Sequence, residues 1–217
     1  MQETQAPLQT LQDIKKLMER SSRFISLSGW SGISAGLCAL VGAGVAYWRI
    51  SEYRKAGGVG YRADDVRSLY PVDASNLMLE LIWIAGIVFV AAFLTAFLFT
   101  YLRSKKNHLS LWDPVSRRLA WNTIIPMGVG GLCILRVMQL GHFELIGPFS
   151  LFFYGLALLN ASKYTSGELR YLAFGQLILG IINLCVTGYE LHFWALGFGV
   201  LHILYGIVMW WKYERQS

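Results

Sequence analysis

The sequence predicts an all-α membrane protein with six transmembrane helices arranged as three hairpins. Its 217 residues are 55% hydrophobic and only 15% charged, which is typical of a protein whose exterior faces lipid. Two apolar runs near the end, 169–186 and 191–211, are each long enough to cross a hydrocarbon core of roughly 30 Å. Because lipid offers the backbone no hydrogen-bond partners, we expect both runs to be helical.

Four further apolar runs have similar length. Local signals mark their ends and irregularities: Asp113-Pro114 is a favourable start for a helix, Pro126 predicts a kink, and Thr165 to Glu168 has the spacing of a capping box. Pro148 is expected in a first turn, where proline is tolerated. The predicted spans are 24–48, 77–102, 119–140, a fourth ending near residue 160, 169–186 and 191–211.

The chain divides into a cytoplasmic amphipathic helix at 1–23, a six-helix transmembrane domain at 24–212 and a cytoplasmic tail at 213–217. In the first segment, apolar residues recur every three or four positions between charged ones, from Leu8 to Met18. This pattern predicts either a helix lying on lipid headgroups or a docking helix for a cytosolic or membrane protein partner.

Small residues recur every four positions in the first span, at Ser28, Gly32 and Gly36. Such spacing lets two helix backbones approach closely. The sequence therefore predicts one tightly packed face, directed either to another helix of the chain or, through Gly32 and Gly36, to a second copy in a homo-oligomer.

The basic residues predict the orientation. Thirteen of the nineteen Lys and Arg residues fall at the end of the spans that carries both termini, and five fall at the other end. By the positive-inside rule, the expected location is a plasma or bacterial inner membrane, crossed several times, with both termini cytoplasmic. The same basic flanks explain the net charge of +6, so we expect no nucleic-acid partner.

Arg136 lies inside the third predicted span, four residues before its end. Since a guanidinium is unfavourable in lipid, we expect it to reach the interface or to pair with Glu80 or Glu144; a ligand or ion site is the alternative. The predicted topology also gathers polar residues at the same end of the spans, and these are further ligand or ion candidates: Glu80, His142, Glu144, Glu190 and His192.

Carboxylate and imidazole groups are zinc ligands and can also relay protons. However, these residues lack the helical spacing of a metal motif and lie in turns, where polar residues are expected to meet water. The cysteines are also widely separated. We therefore expect no metal and no cofactor.

Ser150 in the fourth span and His202 in the sixth resemble the serine and histidine of rhomboid intramembrane proteases, which also have six spans. The resemblance implies an activated serine nucleophile. It covers two positions and the topology, because the residues 147–151 read Gly-Pro-Phe-Ser-Leu, whereas rhomboids carry a G-x-S-G motif.

The sequence thus favours a non-enzymatic membrane scaffold, regulatory or interaction protein. A small-molecule or ion transporter or channel is the alternative, and a rhomboid-like protease a remote one. The amphipathic segment and the small-residue face support the first reading. Arg136, Asn183 and the predicted break at Pro126 support the second, because polar or broken helices line pathways through bilayers.

Overall fold

The computed structural model describes residues 28–55, 74–106 and 113–215, and all regular structure in these ranges is helical. A short 3₁₀ turn, Phe143–Leu145, precedes the fourth helix. The six helices are α1 Gly29–Lys55, α2 Ala74–Lys106, α3 Pro114–Gln139, α4 Ile146–Ala161, α5 Leu169–Cys185 and α6 Glu190–Tyr213. The predicted amphipathic helix at 1–23 lies outside the described residues.

Five of the six helices are long and apolar enough to cross a membrane: α1, α2, α3, α6, and α4 counted together with the 3₁₀ turn before it. The remaining helix, α5, is also apolar but has only 17 residues, a length of about 25 Å at 1.5 Å per residue. Large apolar side chains are exposed along every helix, and no residue of the apolar window of α2 is buried within the protein. These surfaces are those of a membrane-embedded protein.

Helix packing places α1 and α6 side by side at the centre. The helix α2 packs along α1, and α3 packs along α4, which in turn packs along α5. The helix α6 has its most extensive contact with α1, and it also contacts α4 and α5. The first and last helices of the chain are therefore direct neighbours in the bundle.

Glycines form the contact between α1 and α6. A Cβ atom added to Gly206 would lie 2.5 Å from the carbonyl oxygen of Gly29, and one added to Gly36 would lie 2.6 Å from that of Gly199. Gly32 also faces the α6 backbone. The predicted small-residue face is therefore buried inside the chain, and Gly32 and Gly36 are not exposed to a second copy.

The predicted start of the third helix is confirmed. The Asp113 carboxylate accepts hydrogen bonds of 2.6 Å from the backbone nitrogen and the hydroxyl of Ser116, and Pro114 is the first helical residue. The helix then runs through Pro126 to its end at Gln139. Pro148 lies in the first turn of α4, as expected.

The capping box predicted at Thr165 to Glu168 is wrong. The residue that precedes α5 is Glu168 itself, and its side chain does not cap the helix. Instead, its carboxylate accepts hydrogen bonds from Lys212 and Tyr213 of α6. A contact between two helices has replaced the local one that the spacing predicted.

Candidate functional site: a polar seam between α4, α5 and α6

Two amide side chains lie on the buried face of α5. Gln176 is 0% exposed and Asn183 is 1% exposed. They are seven residues apart, which is two helical turns, so they share one face with Ala173 and Gly180. We call the polar groups along this face and its neighbours the polar seam: Tyr154, Gln176, Asn183, His202 and the carbonyl group of Gly197.

The middle of the seam is built on an irregular turn of α6. Residues Ala195–Leu201 form a π-helical segment inside this helix. The carbonyl oxygen of Gly197 accepts a 2.8 Å hydrogen bond from Nε2 of Gln176 and lies 3.0 Å from Nδ1 of His202. Single π-helical turns occur frequently at functional sites, because they free backbone groups for other partners.

Gly197 is also the residue that gives Gln176 room. A Cβ atom at position 197 would lie 2.6 Å from Oε1 of Gln176, so any larger residue would displace the amide. The Oε1 atom is buried and has no hydrogen-bond partner among the described residues. The Gln176 amide therefore lies against the glycine backbone and still has an unused acceptor.

His202 links α6 to α4. Its ring is 6% exposed, and its Nε2 atom lies 2.7 Å from the hydroxyl oxygen of Tyr154. Because a carbonyl oxygen can only accept, the contact with Gly197 requires the ring proton on Nδ1. In a neutral ring, Nε2 then accepts a hydrogen bond from the Tyr154 hydroxyl.

Asn183 forms one end of the seam, close to Gly147 of α4 and to Glu190 at the start of α6. A Cβ atom on Gly147 would lie 2.7 Å from Nδ2 of Asn183 and 3.1 Å from Cβ of Glu190. Neither polar atom of Asn183 has a hydrogen-bond partner in the described part of the chain. A buried amide with both groups open is unfavourable in a dry interior, so this end of the seam has unused capacity for hydrogen bonding.

Glu168 lies at the opposite end. Its Oε1 atom accepts hydrogen bonds from Nζ of Lys212 and, at 3.0 Å, from the hydroxyl of Tyr213. Burial alone would raise the pKa of the Glu168 carboxyl, but hydrogen bonds from Lys212, the backbone and Tyr213, together with the charge of Lys212, hold the pKa below its ordinary value. The carboxylate is thus ionised at neutral pH and fastens α5 to α6.

A second carboxylate that connects helices, that of Glu214, lies at the end of α6. The Oε1 atom of Glu214 accepts hydrogen bonds from the Gly29 backbone nitrogen at 2.6 Å, the Ser28 hydroxyl at 3.1 Å and Arg103 Nη1 at 2.7 Å. The carboxylate therefore caps α1 and pairs with α2 at once. The segment 213–217, predicted as a tail, begins with two residues that contact the bundle.

Of the predicted ligand candidates, Glu190 lies beside the Asn183 end of the seam, whereas Arg136 and Glu80 have partners elsewhere. Arg136 is exposed and donates to Gln139, three residues further along α3, at 3.3 Å. Glu80 forms an ion pair with Arg49 of α1, with 2.5 Å between Nη2 and Oε2. One of the two carboxylates expected to pair with Arg136 is therefore engaged by a different guanidinium.

Each remaining candidate contacts residues other than a common ligand site. Nδ1 of His142 lies 3.1 Å from Oε1 of Glu144 within one turn, and Glu190 accepts from the backbone nitrogen of Gly188 at 2.7 Å. His192 contacts the rings of Tyr47 and Tyr189. Within residues 28–55, 74–106 and 113–215, no three His, Cys, Asp or Glu side chains are placed to hold a metal ion.

Ser150 and His202 each have other partners. The Ser150 hydroxyl donates to the carbonyl oxygen of Gly147 at 2.7 Å, and both ring nitrogens of His202 are engaged by Gly197 and Tyr154. These contacts give the protease resemblance no geometric support.

Three residues of the seam were not singled out in the sequence: Tyr154, Gln176 and Gly197. The clearest of the three in the sequence is Gln176, a polar residue that interrupts an apolar run two helical turns before Asn183. Gly197 carries no such signal, because the π-helical turn that exposes its carbonyl depends on packing between helices.

Comparison with protein-family models, with curated proteins and with solved structures found no match for this chain. The functional argument therefore rests on the geometry of the seam.

Proposed function

We propose that this protein is a non-enzymatic transporter or channel that moves a small solute or ion across its membrane along the polar seam. The observation that carries the proposal is the hydrogen-bonded group of Tyr154, His202, Gly197 and Gln176, buried between three apolar helices. Polar and ionisable side chains inside membrane helices are unfavourable unless they serve a pathway or join helices.

Two features favour a transport pathway over a polar network that only holds the helices together. Oε1 of Gln176 and both polar atoms of Asn183 lack partners among the described residues, whereas a purely structural network is expected to satisfy its members. The π-helical segment of α6 also lies at the centre of the seam, and interrupted helices are typical of transport sites.

The proposal includes six spans and a defined orientation. The helix α5 would complete the sixth crossing together with the residues around it, since the pair α5 and α6 was predicted as a hairpin. The excess of basic residues at the Glu168 end supports a cytoplasmic location for that end and for both termini, in a plasma or bacterial inner membrane.

The experiment is flux into proteoliposomes for a panel of neutral and charged small solutes. Native mass spectrometry of protein released from mild detergent would first show whether a small molecule is retained, and so guide the panel. We expect uptake of at least one solute by the wild-type protein and a loss of at least about tenfold in Gln176→Leu, which removes a buried hydrogen-bonding amide.

Gln139→Leu is the matched control, because Gln139 is exposed at the end of α3. Uptake by this variant should equal that of the wild type. Equal uptake by Gln176→Leu and wild type would contradict a pathway along the seam, and no uptake of any solute by the wild type would contradict the transport proposal.

A membrane interaction protein is the second candidate. It is favoured by the position of α2, whose extensive packing is with α1 alone and whose apolar window has no buried residue. The predicted docking role of the N-terminal segment adds to this candidate and is tested by deleting residues 1–20: co-purifying proteins retained at wild-type levels would contradict that role.

A further inference from the structure

The Asn183 amide is the least satisfied polar group of the seam. Its side chain is 1% exposed, and neither Oδ1 nor Nδ2 has a hydrogen-bond partner among the described residues. Burial of an amide without hydrogen bonds is unfavourable. Such a group in a packed interior therefore indicates a ligand that supplies the missing partners.

A glycine of α4 brings the Asn183 amide and Glu190 together. A Cβ atom added to Gly147 would lie 2.7 Å from Nδ2 of Asn183, 3.1 Å from Cβ of Glu190 and 3.4 Å from the Glu190 carbonyl oxygen. Any larger residue at position 147 would push the two side chains away. The amide of α5 and the acidic residue that begins α6 are therefore close neighbours.

Glu190 supplies a negative charge at this point. Its Oε1 atom accepts a 2.7 Å hydrogen bond from the backbone nitrogen of Gly188, which holds the carboxylate beside the turn before α6. The φ angle of Gly188 is +89°, a conformation that glycine adopts without strain. A carboxylate can accept about four hydrogen bonds, so Glu190 keeps the capacity to accept from a ligand.

The Asn183 end of the seam lies beside a polar turn at the end of the bundle. The residues 187–189, which join α5 to α6, are exposed, and Glu190 is partly exposed. Turns between membrane helices lie at the membrane surface, because their backbone groups need water or other partners. The buried amide is therefore within reach of a solute that arrives from solution.

An apolar step separates this end from the middle of the seam. Gly180 lies between Gln176 and Asn183 on the buried face of α5. A Cβ atom added to Gly180 would lie 2.8 Å from the Phe152 ring and 3.3 Å from Cβ of Leu151. A solute from this end therefore meets Asn183 first, and it meets Gln176 only beyond these two side chains.

The charges of the surrounding helices favour a cation. The stretches 141–162 and 171–211 contain no lysine or arginine, and their only acidic residues are Glu144 and Glu190. Arg136 of α3 is exposed and donates within its own helix. Negative charge without a neighbouring lysine or arginine on α4, α5 or α6 attracts cations to this end and repels anions.

We infer that Asn183 and Glu190 bind the primary ammonium group of a small solute, which makes organic amines the substrate class of the transporter; this rests on the proposed function. An ammonium group has three N–H donors and no acceptor. Oδ1 of Asn183 and the Glu190 carboxylate accept two of these donors, and the carboxylate also balances the charge. Nδ2 of Asn183 is left to donate to an oxygen atom of the same solute.

The middle of the seam suits the same solute. Beyond Leu151 and Phe152, the next open group on α5 is Oε1 of Gln176, which is again a buried acceptor without a donor in the described part of the chain. Both amides thus offer an oxygen atom to a solute that carries N–H groups. A solute with acceptors alone would leave both oxygen atoms unpaired.

The test is binding of methylammonium to the wild-type protein, measured by saturation-transfer nuclear magnetic resonance in nanodiscs of phosphatidylcholine, which has no net charge. We expect saturable binding. Tetramethylammonium has the same charge but no N–H donors, so it should bind at least about tenfold more weakly. Acetate, an anion, should not bind.

Glu190→Gln should weaken methylammonium binding at least about tenfold, because it removes the charge that balances the ammonium group. Glu52→Gln is the matched control, since Glu52 lies at the same end of the bundle and pairs with Lys55 on the surface of α1. It should leave the affinity unchanged. Asn183→Leu should also weaken binding at least about fivefold. Because a buried substitution can impair folding, the partly exposed Glu190 is the deciding position.

Equal affinities of the wild type and Glu190→Gln overturn the inference. Binding of tetramethylammonium as tightly as methylammonium, or of acetate in place of either, also overturns it. None of these readouts needs transport. Methylammonium binding that depends on Glu190, without flux of any solute, would overturn the proposed function alone. Flux of a solute by a protein that does not bind methylammonium would overturn the inference alone.

Discussion

The carboxylate of Glu214 lies 2.6 Å from the backbone nitrogen of Gly29, a residue 185 positions earlier in the chain. The same oxygen atom is 2.7 Å from Nη1 of Arg103. One side chain at the end of α6 thus caps the start of α1 and neutralises a cation at the end of α2. This contact links the last helix of the protein directly to its first two helices.

Glu214→Gln should lower the free energy of unfolding by about 2–4 kcal/mol, because Arg103 would keep its charge in a site where both side chains are more than four-fifths buried. Thermal unfolding in detergent measures this. Glu52→Gln is the control, since Glu52 pairs with Lys55 on the exposed surface of α1. Its effect should be below about 1 kcal/mol, and equal effects of the two variants would contradict the assigned role of Glu214.

Gly206→Ala should destabilise the contact between α1 and α6 by about 1–3 kcal/mol. The added methyl group would lie 2.5 Å from the Gly29 carbonyl oxygen and 2.6 Å from the Ile33 nitrogen, and neither backbone atom can move independently. Gly128→Ala in α3 is the control, because nothing lies within 4 Å of its Cβ position.

The control should leave stability unchanged or raise it by up to about 1 kcal/mol, owing to the higher helix propensity of alanine. Both variants can be compared by thermal unfolding in the same detergent. If Gly206→Ala is as stable as Gly128→Ala, the close packing of α1 on α6 is incorrect.

The ion pair of Glu168 with Lys212 should make stability depend on pH. Because the folded pKa of Glu168 lies below its ordinary value of 4.5, its contribution is complete above that value and is lost as the pH falls through the folded pKa. Melting temperatures of wild type and Glu168→Gln should therefore differ near neutral pH and converge below pH 4.5. Lys212→Gln, which removes the donor, should show a smaller acid-dependent loss than the wild type; a pH-independent difference would contradict this assignment.

Gln176→Leu should reduce stability by only about 0.5–2 kcal/mol, because hydrogen bonds between membrane helices are individually modest. If the seam only holds the helices together, this small loss of stability should be the whole effect of Gln176→Leu. If it is a pathway, solute flux should fall far more than the fraction of folded protein does. Parallel measurements of thermal unfolding and flux on the same preparation separate these outcomes.

The sequence was sufficient for the helical class and for several helix boundaries. Apolar length alone predicts helices in lipid, and the start of α3 followed from local chemistry at Asp113 and Pro114. The capping box at Thr165 failed because a distant lysine, Lys212, supplies a stronger partner for the acid three residues later. Local patterns predict local contacts, and they fail where a tertiary contact competes.

The candidate site was less predictable. The sequence points to His202 only through the protease resemblance, and to the polar turn residues His142 and Glu190 because they are ionisable. The structure instead brings the buried side chains of Gln176 and His202 to the carbonyl group of Gly197. No residue type signals a π-helical turn, so this part of the seam required the packed helices to be seen.

Hydrogen–deuterium exchange of the protein in lipid nanodiscs tests the pathway most directly. A pathway must admit water, so amides around the π-helical segment Ala195–Leu201 should exchange at least about tenfold faster than those in the middle of α4 at a similar depth. Protection of this segment equal to that of α4 would contradict the account, because it would mean that the seam stays closed and only holds the helices together.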